Sequence, residues 1–157
     1  HSFNTPQYTR DVVLPNLQKG AERVGRSIED ITISGGGFIV AGRNEEELEK
    51  KRKETKTRIS FYASTRSYGD VMRTQGWNDT HEKLYRMSID GKWNQMGDEI
   101  TDEMLDSFAV IGTYDQIAGK IKSTYGKYAT SVSFGMDTQN EEEENILRDV
   151  IKNLKGS

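Results

Sequence analysis

The chain has 157 residues, and its 22 lysines and arginines are interleaved with 25 aspartates and glutamates, which gives a formal net charge of −3. This charge balance lacks the basic patch that nucleic-acid binding requires, and no apolar run in the sequence approaches the length of a membrane span. The chain contains no cysteine, so disulfides, thiolate metal sites and cysteine nucleophiles are excluded.

The apolar content is low for one complete domain. Hydrophobic residues make up 33% of the chain, and counting glycine as apolar still leaves the share below the roughly 45–50% of a typical globular domain. Either part of the hydrophobic core is supplied by another polypeptide segment, or the chain is a helical domain with broad solvated faces. The cytoplasm is the expected compartment, because the first residues are polar and carry no secretory signal.

The first predicted element is a helix over residues 8–24. Thr5 and Pro6 are typical of a helix start, with Thr5 as the N-cap and Pro6 at the first helical position. Pro15 interrupts this helix, because it lacks the amide proton that a continuous helix needs. Gly25 is placed to end it.

One buried strand is predicted over residues 31–41, followed by a helix over residues 45–62. The strand carries small or apolar residues on both faces, as an internal strand of a parallel sheet does. Its three consecutive glycines, Gly35, Gly36 and Gly37, lack the spacing of a phosphate-binding loop. A bulge or a taper in a barrel strand is favoured over contact with a ligand.

Residues 67–103 carry no strand signal and are predicted to form short helices. Capping boxes are predicted at three places, and they are Asp79 with Glu82, Thr113 with Gln116, and Asn140 with Glu143. His81 is predicted to be exposed within the first of these boxes, and Trp93 is predicted to face inward. A second strand is predicted over residues 130–136, between helices over residues 115–125 and 145–154.

Helix, strand and helix in succession form the repeating unit of a parallel α/β sheet. The chain holds two such units, and two units cannot close a sheet of their own. We therefore expect residues 1–157 to be one partial domain of a larger α/β protein.

Candidate site residues follow each strand, where parallel strands present their carboxyl ends to ligands. Gly42 and Arg43 could bind an anion there, or they could form a polar surface turn. Asp137 could be a site carboxylate, although a turn residue is favoured. The two histidines, His1 and His81, lack the spacing of metal ligands, so no metal site is predicted. No catalytic residue is predicted.

Several segments, taken in order, resemble the carboxyl-terminal part of luciferase-like monooxygenases. The likeness is greatest to the branch that uses the deazaflavin coenzyme F420. The segment DEMLDSFAVIGTYDQIAGKI resembles a family motif in which proline is common at the position of Tyr114. The other similar segments are residues 1–27, 31–49, 58–68, 75–77 and 131–136.

The resemblance implies the carboxyl-terminal portion of a (β/α)₈ barrel, helix-rich, with two parallel strands and a helical insert over about residues 63–112. It implies coenzyme F420 or FMN as the cofactor of the whole protein. By position in the family, the residues at the rim of the cofactor site would be His1, Ser2, Phe3, Gly42 and Arg43.

The predicted function is therefore that of the carboxyl-terminal part of a flavin- or F420-dependent oxidoreductase or monooxygenase. We expect this part alone to bind no cofactor and to be inactive. The substrate of the whole protein would be a small molecule, and the partner of this chain would be a second copy or the missing amino-terminal half. The alternative is a non-catalytic helical module that binds another protein.

Overall fold

The computed structural model describes residues 3–136 and 138–156. The α-helices are α1 (Pro6–Tyr8), α2 (Leu14–Glu22), α3 (Glu45–Ala63), α4 (Gly69–Thr74), α5 (Asn78–Ile89), α6 (Asp102–Phe108), α7 (Ile117–Tyr125) and α8 (Glu141–Lys155). The strands are β1 (Ser34–Gly35), β2 (Phe38–Gly42), β3 (Ala109–Thr113) and β4 (Ser131–Val132). Short 3₁₀ helices cover Ile28–Asp30, Arg66–Tyr68 and Trp93–Glu99.

The first helical region contains the interruption that Pro15 predicts. A π-helical turn, Thr9–Val13, separates α1 from α2, and Pro15 lies in the first turn of α2. The backbone N–H of Leu14 bonds to Thr9 O, five residues earlier. This wider turn directly precedes Pro15, which has no backbone N–H with which to continue the α-helical hydrogen bonds. The predicted N-cap is confirmed, since Thr5 Oγ1 accepts a hydrogen bond of 3.0 Å from the N–H of Tyr8.

The predicted strand over residues 31–41 is broken in two. Gly36 separates β1 from β2 and has a φ of 121°, a region that side chains disfavour. A Cβ atom at residue 36 would lie 3.0 Å from Ser133 O, and one at residue 35 would lie 2.8 Å from the Cβ of Ala129. These glycines therefore permit a break in the strand and close packing, while the bulge or barrel taper favoured from the sequence remains a prediction.

The four strands form two separate parallel pairs. β1 pairs with β4, with Ser34 opposite Ser131. β2 pairs with β3, and the register runs from Phe38 opposite Ala109 to Gly42 opposite Thr113. No strand was predicted at β3. The short apolar run there continues directly from α6, and hydrophobic periodicity alone cannot distinguish a short buried strand from the end of a buried helix.

Two hydrophobic clusters enclose the β2–β3 pair. Phe38 and Val40 face the larger cluster, which includes α3, α5 and α6. Ala41 and Val110 face the smaller cluster, which includes α7 and α8. Because both faces are covered, the pair behaves as an internal layer of an α/β fold.

In the helical region between α3 and β3, two side chains differ from their predicted exposure. His81 is 2% exposed, and its Nδ1 lies 2.6 Å from Ala63 O, so the prediction of an exposed histidine was wrong. Trp93 is 46% exposed, so its predicted inward position was also wrong. Its ring lies 6.0 Å from the ring of Phe61, which is exposed as well.

Of the three predicted capping boxes, only the cap at Asn140 forms. Its Oδ1 accepts a hydrogen bond of 3.0 Å from the N–H of Glu143, and α8 begins at Glu141 rather than at residue 145. α5 begins without a side-chain cap, and Glu82 instead pairs with Arg66 at 2.6 Å. Thr113 is the last residue of β3, so it cannot cap α7.

Within the described part of the chain, every helix is either too short or too polar to cross a lipid bilayer.

Candidate functional site

The candidate site is a cleft of about 360 Å³ along the edge of β2, which we call the β2 cleft. One wall is the backbone of β2 near its carboxyl end, and the opposite side is the segment that follows β4. Helix α3, Tyr114 and Glu143 of α8 complete the lining. The cleft therefore adjoins the turn after β2, to which Gly42 and Arg43 belong. Its lining residues are Ile39, Val40, Ala41, Glu47, Lys51, Glu54, Thr55, Arg58, Tyr114, Phe134, Gly135, Met136 and Glu143.

Helix α3 presents a stripe of alternating charge to this cleft. The stripe consists of Glu47, Lys51, Glu54 and Arg58, whose spacings of four, three and four residues place them on one helical face. Asn44 fixes the start of the helix, because its Oδ1 accepts a hydrogen bond of 2.9 Å from the N–H of Glu47. The cleft wall is therefore polar and nearly balanced in charge.

Lys51 is the central cation of the β2 cleft. Its Nζ donates a hydrogen bond of 2.7 Å to Ala41 O and lies 2.5 Å from Glu47 Oε1. The same ammonium group lies 6.0 Å from the centre of the Tyr114 ring. The pKa of the Glu47 carboxyl is lowered, first because it accepts a hydrogen bond from Lys51 and second because it accepts one from the N–H of Arg43.

Arg43 is bound by carboxylates from α8. Its guanidinium lies 3.2 Å from Glu143 Oε1 and 3.6 Å from Glu142 Oε1. Its backbone N–H donates to Glu47 Oε2 at 2.9 Å. These contacts tie the turn after β2 to the start of α8. An anion that reached Arg43 would have to compete with three carboxylates.

Gly42 has a packing role next to this arginine. A Cβ atom at residue 42 would lie 3.1 Å from Leu48 Cδ2, so glycine allows α3 to approach the end of the strand. The assignment of Gly42 and Arg43 to a cofactor site remains a prediction.

Phe3 lies in the larger hydrophobic cluster. Its side chain is 0% exposed, and its ring stacks on Phe108 with centroids 4.4 Å apart and on Tyr62 with centroids 5.7 Å apart. His1 and Ser2, which were predicted beside it, lie outside the described residues, as does Asp137. The role of Phe3 in binding a cofactor also remains a prediction, while its place in the core is clear.

Two residues of the β2 cleft were missed by the sequence reasoning. The sequence analysis assigned no role to Lys51, although Glu47 and Lys51 at i and i+4 form a recognisable pair. Tyr114 was noted only as a departure from the proline of the similar family. Its N–H bonds to Gly42 O at 3.1 Å, a contact between segments that are distant in the sequence.

We expect Glu47→Gln to lower the free energy of unfolding by roughly 0.2–1 kcal/mol at neutral pH, because the pair with Lys51 is largely solvated. The folded pKa of Glu47 lies below its unfolded value, so its stabilisation is present above an ordinary carboxyl pKa of about 4.3. It is lost as the pH falls through the folded pKa. Urea unfolding at a series of pH values measures this, with Glu46→Gln as a charge-matched control. A wild-type advantage that does not decline as the pH is lowered below about 4.3 would contradict the expectation.

Comparison with known proteins gives three findings. The family model described as luciferase-like monooxygenase matches residues 1–131. Uncharacterized proteins of Mycobacterium bovis and Mycobacterium tuberculosis are 37% identical over 123 residues, which cover 78% of this chain and 36% of each relative. The chain thus spans about a third of the length of these curated relatives. The coenzyme F420-dependent tetrahydromethanopterin reductase of Methanopyrus kandleri superposes with a TM-score of 0.68 at 21% identity, over 91% of this chain and 40% of the reductase.

Proposed function

The chain belongs to the luciferase-like monooxygenase family, and from this premise we propose that it is the carboxyl-terminal part of a flavin- or F420-dependent oxidoreductase. The observation that carries the proposal is the parallel pairing of β1 with β4. β1 leads through β2 into α3, and β4 leads into α8. Parallel neighbours that are each followed by a helix are the construction of a (β/α)₈ barrel. The fold similarity to a barrel reductase supports the same architecture.

The cofactor that we propose for the whole protein is either coenzyme F420 or FMN. The reductase of similar fold is named for its dependence on coenzyme F420, which favours the deazaflavin. Both cofactors carry phosphate, so both need a positively charged or amide-rich cradle. In the whole protein we assign Gly42 and Arg43 to the rim of this site, with Arg43 as the only cation that the turn after β2 supplies.

The described residues do not by themselves fit the ring of such a cofactor. A flat tricyclic ring needs a mostly apolar slot that covers most of its surface. The β2 cleft is instead open and lined by charged groups, among them Glu47, Glu54 and Glu143. The aromatic cluster around Phe3 is buried and filled by side chains. For these reasons we propose that this chain alone binds no cofactor and is inactive.

The partner in this proposal is the amino-terminal part of a family member, or a second copy of the chain. An apolar groove of about 610 Å³ supports it, since it runs beside β4 between α7 and α8. Ile121, Val132 and Leu154 contribute to its lining. Such a groove beside a short strand suits the docking of a further barrel unit. The proposed compartment of the assembled protein is the cytoplasm.

The proposal is tested by titrating the chain with FMN and separately with coenzyme F420, while cofactor fluorescence is followed. We expect no saturable change in fluorescence for either cofactor, because the ring site is incomplete. An F420 titration of a complete family member serves as the positive control. Tight binding of either cofactor by this chain alone, with one cofactor per chain, would contradict the proposal.

A chimera separates the proposal from the alternative of a helical interaction module. Residues 1–131 of this chain replace the matching segment of the Mycobacterium tuberculosis relative, which supplies the remainder of the fold. We expect the chimera to bind one of the two cofactors. If the chimera folds, as judged by circular dichroism, and yet binds neither cofactor, the interaction module becomes the better account.

A further inference from the structure

The β2–β3 pair has two outer edges, and the hydrogen bonds show which carbonyl groups face them. In a parallel pair, successive residues of a strand direct their backbone groups alternately toward the neighbouring strand and away from it. Gly42 O faces β3, since it accepts a hydrogen bond of 3.1 Å from the N–H of Tyr114. Ala41 precedes Gly42, so its carbonyl group points away from β3, into the β2 cleft.

Lys51 covers this outer edge of β2. Its Nζ reaches back from the second turn of α3 and donates to Ala41 O at 2.7 Å. Ala41 belongs to the strand wall of the β2 cleft, where a further strand would have to pair. A strand arriving there would need the same carbonyl group and would have to displace a charged donor.

Lys120 covers the outer edge of β3 in the same way. Its Nζ reaches back from α7 and donates to Ile111 O at 2.7 Å. Ile111 stands opposite Val40 in the register, so its carbonyl group also points out of the pair. Gly112 permits this approach, because a Cβ atom at residue 112 would lie 3.1 Å from Lys120 Cδ.

The same device therefore occurs at both edges of one strand pair. Each lysine lies in the helix that follows its strand, and each binds the carbonyl group of the residue before the strand's glycine. Both faces of the pair are already buried, so a further strand could pair only at its edges, and at β2 it would have to enter the β2 cleft opposite residues 134–136. Lysine at a strand edge opposes the addition of another strand, because its charge must be desolvated before the strand can pair.

We propose that Lys51 and Lys120 close the β2–β3 pair against strand addition by a second copy of this chain. The two-stranded layer is then complete in itself. Under the proposed function, on which this further step rests, strand pairing with a partner is directed to β1 and β4 and excluded from β2 and β3. The groove beside β4 lies at that permitted position.

The test is the double variant Lys51→Met and Lys120→Met, studied by sedimentation velocity over a series of protein concentrations. Methionine keeps most of the side-chain length and removes the charged donor. We expect the association constant for self-association to rise by at least about tenfold. Hydrogen exchange in the associated state should slow in peptides that contain residues 38–42 or 109–113, because a new strand protects their outer amides.

Two control variants make the result specific. Lys50→Met with Lys127→Met removes the same charge from exposed positions and should leave self-association unchanged. Lys51→Arg with Lys120→Arg keeps a charged donor at each edge and should remain as weakly associated as the wild type. The proposal is overturned if the Met variant associates no more than the wild type. It is also overturned if the Met variant aggregates with faster exchange throughout the chain, since that pattern reports unfolding.

This experiment is independent of the cofactor titration. Cofactor binding by the chain alone would remove the proposed function and leave the edge-closing role of the two lysines untouched. Unchanged association of the Met variant would remove the edge-closing role and leave the cofactor proposal standing.

Discussion

Phe108→Ala is expected to lower the free energy of unfolding by roughly 3–5 kcal/mol, the range for a large aromatic side chain removed from a packed core. Phe108 is 2% exposed and joins the amino-terminal segment to the helical region. Its ring stacks on Phe3 at 4.4 Å and lies 5.9 Å from the ring of Trp77. The substitution leaves a cavity in this cluster and removes the ring that stacks on Phe3. Urea denaturation followed by circular dichroism measures the change.

The matched control is Phe61→Ala, because Phe61 is 55% exposed and sits at the surface of α3. Its loss should change stability by less than about 1 kcal/mol. A natural domain has only about 5–15 kcal/mol of stability in total, so the Phe108 variant is expected to be partly unfolded at 37 °C. Equal effects of the two substitutions would show that the aromatic cluster is not the main core.

Gly36→Ala is expected to destabilise the chain by roughly 1–3 kcal/mol and to disrupt the pairing of β1 with β4. Two independent effects add at this position. Alanine disfavours a φ of 121°, and its Cβ would press against Ser133 O at 3.0 Å. Ser133 follows β4 directly, so the strain falls on the strand that pairs with β1. Thermal unfolding reports the loss of stability, and hydrogen exchange of residues 131–133 reports the loss of pairing.

Gly119→Ala is expected to raise the stability of the chain, in contrast to Gly36→Ala. Gly119 lies inside α7, and a Cβ atom there would have no neighbour within 4 Å. Alanine should therefore stabilise the chain by roughly 0.5–1 kcal/mol through its helix propensity. A neutral Gly36→Ala beside a stabilising Gly119→Ala would mean that the break between β1 and β2 is not required.

Elements with strong local signals were predictable from the sequence. α3 was expected over residues 45–62 and observed as Glu45–Ala63, with Asn44 as its cap. Thr5 and Asn140 were also identified as caps, and each accepts the expected backbone hydrogen bond. Caps and helical periodicity depend on residues within one turn of each other, so they can be predicted from the amino-acid sequence.

The failures among the local predictions share one physical cause. Asp79 and Thr113 each begin a plausible capping pattern, and neither caps a helix in the fold. Tertiary contacts decided these positions, because Glu82 pairs with Arg66 and Thr113 completes a strand. A capping bond contributes only about 1 kcal/mol, so longer-range contacts override it readily.

The turn after β2 was identified from the sequence, whereas the ion pairs of that turn were not. The turn at Gly42 and Arg43 does lie beside a cleft at the end of a parallel strand, as the strand–helix pattern indicated. The partners of Arg43 are 99 and 100 residues away in the chain, at Glu142 and Glu143. No local pattern links residues at that separation, so the neutralisation of Arg43 appears only in the folded chain.

By itself, the sequence determined α3, the caps at Thr5 and Asn140, the parallel α/β character and the family, because each of these depends on residue order and short spacings. Only the tertiary structure decided that Gly36 splits one predicted strand into two, that His81 is buried against Ala63 and that Lys51 and Lys120 close the edges of β2 and β3. These features depend on which backbone groups remain unpaired after the strands and helices have packed together. Burial and edge pairing are properties of the assembled layers, and they are therefore set by contacts between segments that are distant in the sequence.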